Sequence, residues 1–159
     1  MSFIMILGII VTALFAATYF TRRRFGVLGL ALTAGFLLSG LWTAEVTPLI
    51  KQAGVELLSP PPASVVAGTL VLLPAVVLLF SGPTYSKHAP RVIGSVAFAL
   101  LAAALLLPSL YNGLVLDTNG KQIYDLINQN RNIIITVAVV YALFDILTIK
   151  SPKKDKEKE

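Results

Sequence analysis

The chain has 159 residues, 56% of them apolar and only 13% charged. Soluble domains run nearer 45–50% apolar and about 25% charged, so too little polar surface is available to clothe a water-soluble globule, and lipid is the natural solvent for most of it. The absence of cysteine excludes disulfides, thiol chemistry and cysteine metal sites.

The predicted fold is all-α: a polytopic membrane domain over residues 1–150 with five spans. They cover Phe3–Phe20, Phe25–Thr43, Ala63–Phe80, Val92–Leu110 and Ile133–Ile149, each near the 17–25 residues that cross a bilayer. The first span lacks the leading positive charge of a signal peptide, because its arginines follow it, which favours a retained anchor. Ten basic residues then fall on one side: Arg22, Arg23, Arg24, Lys87, Arg91, Lys150, Lys153, Lys154, Lys156 and Lys158. Three, Lys51, Lys121 and Arg131, fall on the other. Basic residues concentrate in cytoplasmic loops, so the Arg triplet and the C-terminus are expected inside and the N-terminus outside.

Between spans two and three, Thr47-Pro48 reads as a helix start, threonine as N-cap and proline at the first helical position. Leu49, Ile50, Ala53 and Leu57 then share a face, so a short interfacial helix is expected, ended by Pro60-Pro61-Pro62. After span four, Asn119-Gly120 signals a turn, and from Lys121 the chain is expected to run as helix into span five. Residues 151–159 carry no apolar side chain and are expected to form a disordered charged tail.

Small residues recur every fourth position at Gly8/Thr12/Ala16, Ala31/Gly35/Ser39 and Ser95/Ala99/Ala103. Such stripes let helices approach closely in lipid, either within this chain or against a second copy or a membrane partner. Pro74 removes the helical hydrogen bond to Leu70 and should kink span three. Arg22, Arg23, Arg24, Lys87 and Arg91 are topogenic and face lipid headgroups. With no aromatic residues among the lysines, a nucleic-acid partner is not expected. His88, the only histidine, is read as a solvated loop residue between spans three and four, and Glu45 lies across the membrane from it. No catalytic constellation, cofactor loop or metal-binding pattern stands out, so no enzyme and no cofactor is expected.

Asp145 is the one carboxylate inside a span, and intramembrane carboxylates are functional candidates. It stands four residues before Ile149, about 6 Å from the helix end. Its expected partners are Tyr141, Thr148 or an arginine among Arg22–Arg24 and Arg91. It is either an anchor near the interface or a proton or cation site.

Three stretches resemble the colicin V production protein family, small bacterial inner-membrane proteins. They are Arg22-Arg23-Arg24-Phe25-Gly26 through Gly29 and Gly35, then Thr47-Pro48-Leu49-Ile50 leading to Pro60-Pro61-Pro62, then Arg91 before Gly94. The resemblance covers roughly residues 3–110. The family pattern has four spans and an acidic residue before that arginine, where this chain has a fifth span and Ala89-Pro90. It implies a role in envelope maintenance or export and supplies no catalytic residue. The expected function is therefore a non-enzymatic scaffold or accessory subunit; the alternative is a small oligomeric transporter or channel using Asp145.

Overall fold

The computed structural model describes residues 3–52, 61–113 and 118–148. Those residues form five α-helices: α1 Phe3–Thr21, α2 Phe25–Gln52, α3 Pro62–Phe80, α4 His88–Gly113 and α5 Thr118–Leu147. All five are long and apolar enough to cross a membrane. Helices hydrogen-bond their own backbones, which is what a chain crossing hydrocarbon requires. The expected tail at 151–159 and the Ala53–Leu57 part of the expected interfacial helix lie outside the described residues.

Three boundaries differ from those read in the sequence. Thr47-Pro48 does not start a helix. The α2 helix runs unbroken through it to Gln52, and the Thr47 hydroxyl donates back to the Thr43 carbonyl at 2.6 Å instead of capping forward. Asn119-Gly120 is no turn but lies in the first turn of α5. His88 is no loop residue but opens α4, where it stays exposed and hydrogen-bonds the Tyr19 hydroxyl at 3.1 Å. At about 1.5 Å per residue, α2 and α5 measure roughly 42 and 45 Å against a hydrocarbon core of about 30 Å. Their polar excess, Glu45–Lys51 and Lys121–Arg131, lies at the end away from the arginine triplet.

The α4 helix is central and touches the other four. Its run of leucine and alanine explains this: Phe98, Leu101, Ala102 and Leu105 enter the core with Phe25, Leu28 and Leu32 of α2 and Val71 and Ala75 of α3. A second cluster joins Ala103 and Leu107 to Phe3 and Leu7 of α1. Outside, Phe20, Leu41, Phe80 and Leu147 are exposed, an apolar coat suited to lipid.

Two of the three small-residue stripes pack. Ser95, Ala99 and Ala103 are buried, as are Ala31, Gly35 and Ser39. A Cβ on Gly35 would collide with the Val71 carbonyl oxygen and stand 2.8 Å from that of Leu70. Here the α2 backbone lies directly against that of α3, one turn before Pro74. Pro74 has no N–H to offer Leu70, and α3 runs on through it with the released carbonyl turned toward the glycine. The same device recurs in α4. Pro108 offers no N–H to Ala104, and Arg131 of α5 donates its Nε to that carbonyl at 3.1 Å while lying over the Phe36 ring. The third stripe does not pack as the sequence suggested. Nothing lies within 4 Å of a Cβ on Gly8, because α1 turns its large residues, Phe3 and Leu7, inward.

Gly35→Leu should therefore lower the thermal midpoint in detergent steeply, since overpacking costs typically about 1–3 kcal/mol and occasionally more. Gly8→Leu and Leu37→Ala should leave it nearly unchanged. Equal melting of Gly35→Leu and Gly8→Leu would show that the α2–α3 contact does not hold the bundle.

Candidate functional site

One end of the bundle gathers Arg23, Arg24, Arg91, Tyr85 and Asp145. There the C-termini of α1, α3 and α5 meet the N-termini of α2 and α4, and the short connections 22–24 and 81–87 lie side by side. Arg22 adopts φ 56°, the left-handed conformation that commonly ends helices. Its carbonyl accepts from the Tyr85 N–H at 2.8 Å, and the Arg24 N–H donates to the Pro83 carbonyl at 3.1 Å. Arg23 and Thr84 form an antiparallel bridge between these bonds.

Each C-terminus at this end carries a guanidinium. Arg23 serves α3, donating to the carbonyls of Leu79 and Phe80 at 2.9 Å and to that of Gly82. Arg91 serves α1, with Nε 2.6 Å from the Tyr19 carbonyl and its plane over the Tyr19 ring, 3.9 Å from the ring centre. Arg24 serves α5, donating to the Asp145 carbonyl at 3.1 Å and reaching the Thr148 hydroxyl at 3.4 Å. The last carbonyls of a helix lack internal donors and carry partial negative charge, so a cation answers both needs at once.

Asp145 does the converse for α2. It is buried, and its carboxylate accepts from the Gly26 N–H at 2.8 Å. The neighbouring Phe25 N–H donates to the Tyr85 hydroxyl at 3.1 Å, and that hydroxyl lies within electrostatic reach of the Asp145 carboxylate. Two of the unpaired N–H groups that begin α2 are thus met by a carboxylate and a phenol from elsewhere in the bundle. Gly26 permits this: a Cβ there would stand 2.6 Å from the Ala142 carbonyl and 2.7 Å from Ile146. Tyr141, one turn before Asp145, stacks on Phe25 with ring centres 5.2 Å apart.

The sequence singled out Asp145, and the structure gives its carboxylate a different partner from those expected. Arg24 and Thr148 meet the Asp145 carbonyl, not its carboxylate, and the carboxylate goes to the backbone of Gly26. Tyr85 went unnoticed. Its signal was a single tyrosine in a short polar connection at the same end as the arginines. Ser39 and Ser95 remain local: Ser95 donates to the Arg91 carbonyl at 2.9 Å, and the Ser39 hydroxyl lies 3.5 Å from that of Thr43. Among the described residues no buried side-chain nitrogen or oxygen lacks a partner, and no cluster of histidine and carboxylate suited to a metal occurs.

Burial pushes the Tyr85 hydroxyl far above the ordinary tyrosine value of 10.0. The Phe25 N–H draws it partly back, and the charge of Asp145 raises it again. Comparison of the chain with protein-family models, curated proteins and solved structures finds no match.

Two outcomes follow. Asp145→Asn keeps an acceptor for Gly26 and loses the charge at the helix start, worth about 0.3–1 kcal/mol and up to about 2 when partly buried. Asp145→Ala strands the buried Gly26 N–H, at about 1–3 kcal/mol for an unsatisfied group, so its midpoint should fall below that of Asp145→Asn. For Tyr85, the folded chain keeps the proton where the unfolded chain loses it. Its contribution is therefore full below about pH 10 and lost as pH rises beyond. Thermal melts from pH 8 to 11 should show a steeper alkaline loss in the parent than in Tyr85→Phe.

Proposed function

We propose that this chain is a multi-pass protein of the bacterial cytoplasmic membrane, with its N-terminus outside and its C-terminus in the cytosol. In this reading it is a non-enzymatic scaffold or accessory subunit in envelope maintenance or export. The observation that carries the proposal is the employment of Asp145. A carboxylate serving proton or cation transfer needs free lone pairs on a water-accessible path. This one is buried and bound to the backbone of α2. It acts as a fastening between helices, which favours the scaffold over the transporter that Asp145 would otherwise suggest.

Two further features support it. The Gly8/Thr12/Ala16 stripe is not used within the chain, and in lipid such a face suits close approach of another helix. The resemblance to the colicin V production proteins, through the arginine turn and the segment from Thr47 to Pro62, gives the envelope or export role its direction.

The test is crosslinking in native membranes followed by capture through a C-terminal tag. A defined partner should be recovered with the parent and lost with Gly8→Leu, at unchanged thermal midpoint. A flux of protons or cations in proteoliposomes that disappears in well-folded Asp145→Asn would establish the transporter instead. For orientation, a periplasm-active reporter after Asn119 and a cytosol-active one after Glu159 should both work. Silence of either, with activity of the opposite reporter at that position, would overturn this topology.

A further inference from the structure

At the arginine-rich end the cations fall into two groups. Arg23 and Arg24 are used up on helix carbonyls. The side chains of Arg22 and Lys87 have no hydrogen bond or ion pair among the described residues. Both are exposed, and both line a cavity of about 220 Å³ together with Arg91, His88, Ser86 and Tyr85. Water takes about 30 Å³ per molecule in the liquid, so the space holds several waters or one tetrahedral oxyanion with part of its hydration.

The cavity walls come from the two paired connections and the start of α4, which fix their relative position. The bonds from Tyr85 N–H to the Arg22 carbonyl and from Arg24 N–H to the Pro83 carbonyl hold the Arg22 backbone beside the Tyr85–Lys87 segment. Arg91 is held by its Nε on Tyr19 and its plane on the Tyr19 ring, and His88 by its bond to the Tyr19 hydroxyl. Two anchored cationic or hydrogen-bonding groups thus face two free cations across one small space. Among the described residues the only carboxylate at this end is Asp145, already engaged with the Gly26 N–H. Charge of one sign, converging on a space and left without counter-charge, is the electrostatic footprint of an anion site.

We propose that this cavity binds a phosphate group, with Arg22, Lys87 and Arg91 as its cations and Ser86 and His88 as hydrogen-bonding neighbours. Arginine offers planar paired donors to phosphate oxygens, and lysine a point charge. The cavity lies at the end of five membrane-length helices, where the phosphodiester of an anionic phospholipid would sit. Free phosphate carries the same chemistry, and the experiment separates the two. The site is independent of the scaffold reading, because it involves neither Asp145 nor the stripe on α1.

The test uses the full chain purified in neutral detergent, with isothermal titration calorimetry in three arms: phosphatidylglycerol in mixed micelles, phosphatidylcholine in the same micelles, and inorganic phosphate at constant ionic strength. Saturable binding of phosphatidylglycerol near one per chain, absent with phosphatidylcholine, is expected for a lipid site. Saturable binding of inorganic phosphate with equal or greater affinity assigns the cavity to the free anion. Arg22→Asn combined with Lys87→Gln should weaken binding roughly twenty-five-fold, about fivefold for each cation removed. Asparagine tolerates the left-handed backbone at position 22, so the thermal midpoint should hold; Lys87→Gln alone, with about a fivefold loss, serves if the double variant does not fold. The control removes the same charge from the tail, as Lys153→Gln with Lys154→Gln, and should cost much less. Equal loss from the tail control would reduce the effect to diffuse attraction and overturn the site. No saturable binding in any arm, or unchanged binding in the cavity variants, would overturn it too.

Discussion

A backbone N–H or carbonyl without a partner is expensive wherever water is scarce, at several kcal/mol in hydrocarbon. Inside each helix the ladder settles this automatically. It fails at helix ends and at prolines, and the polar chemistry of this protein is concentrated at those places. Arg23, Arg24 and Arg91 meet the final carbonyls of α3, α5 and α1. Asp145 and Tyr85 meet the first N–H groups of α2. Arg131 meets the carbonyl that Pro108 releases, and the carbonyl that Pro74 releases turns toward Gly35.

This arrangement changes what the charged residues mean. Basic residues at membrane boundaries act through their sign, as orienting charges and as attraction to anionic headgroups. Here position divides the work among neighbours in one triplet. Arg23 and Arg24 serve as structural caps, with little left to offer a ligand. Arg22, whose left-handed backbone ends α1, has its side chain free. The carboxylate of Asp145 is committed in the same manner, to the Gly26 N–H at the start of α2.

The five helices were legible because hydropathy and length suffice to define a span. Their ends were less legible, because a helix does not stop where its apolar run stops. The α2 helix continues through Pro48, and α5 begins at Thr118, well before its apolar stretch. The site was half legible. A lone acid in a span identified Asp145 and a basic turn identified the arginines, but pairing by side-chain type cannot find a backbone N–H as the partner. Gly8 and Gly35 show the same limit. Both sit in four-residue stripes of small side chains, yet one faces outward and the other meets the α3 carbonyls. A stripe identifies a face without saying what lies opposite.

The contact between Asp145 and Gly26 spans 119 positions of sequence. Chains leave the ribosome from the N-terminus, so α2 is made and placed long before its carboxylate exists. During that interval its first N–H groups must be served by water or headgroups at the bilayer surface. The mature bond therefore forms last, when α5 docks between α2 and α4 and dries that end of the bundle. Docking of the fifth helix thus completes the first turn of the second, and a chain ending after α4 would reach the membrane with its spans in place and that helix start still wet.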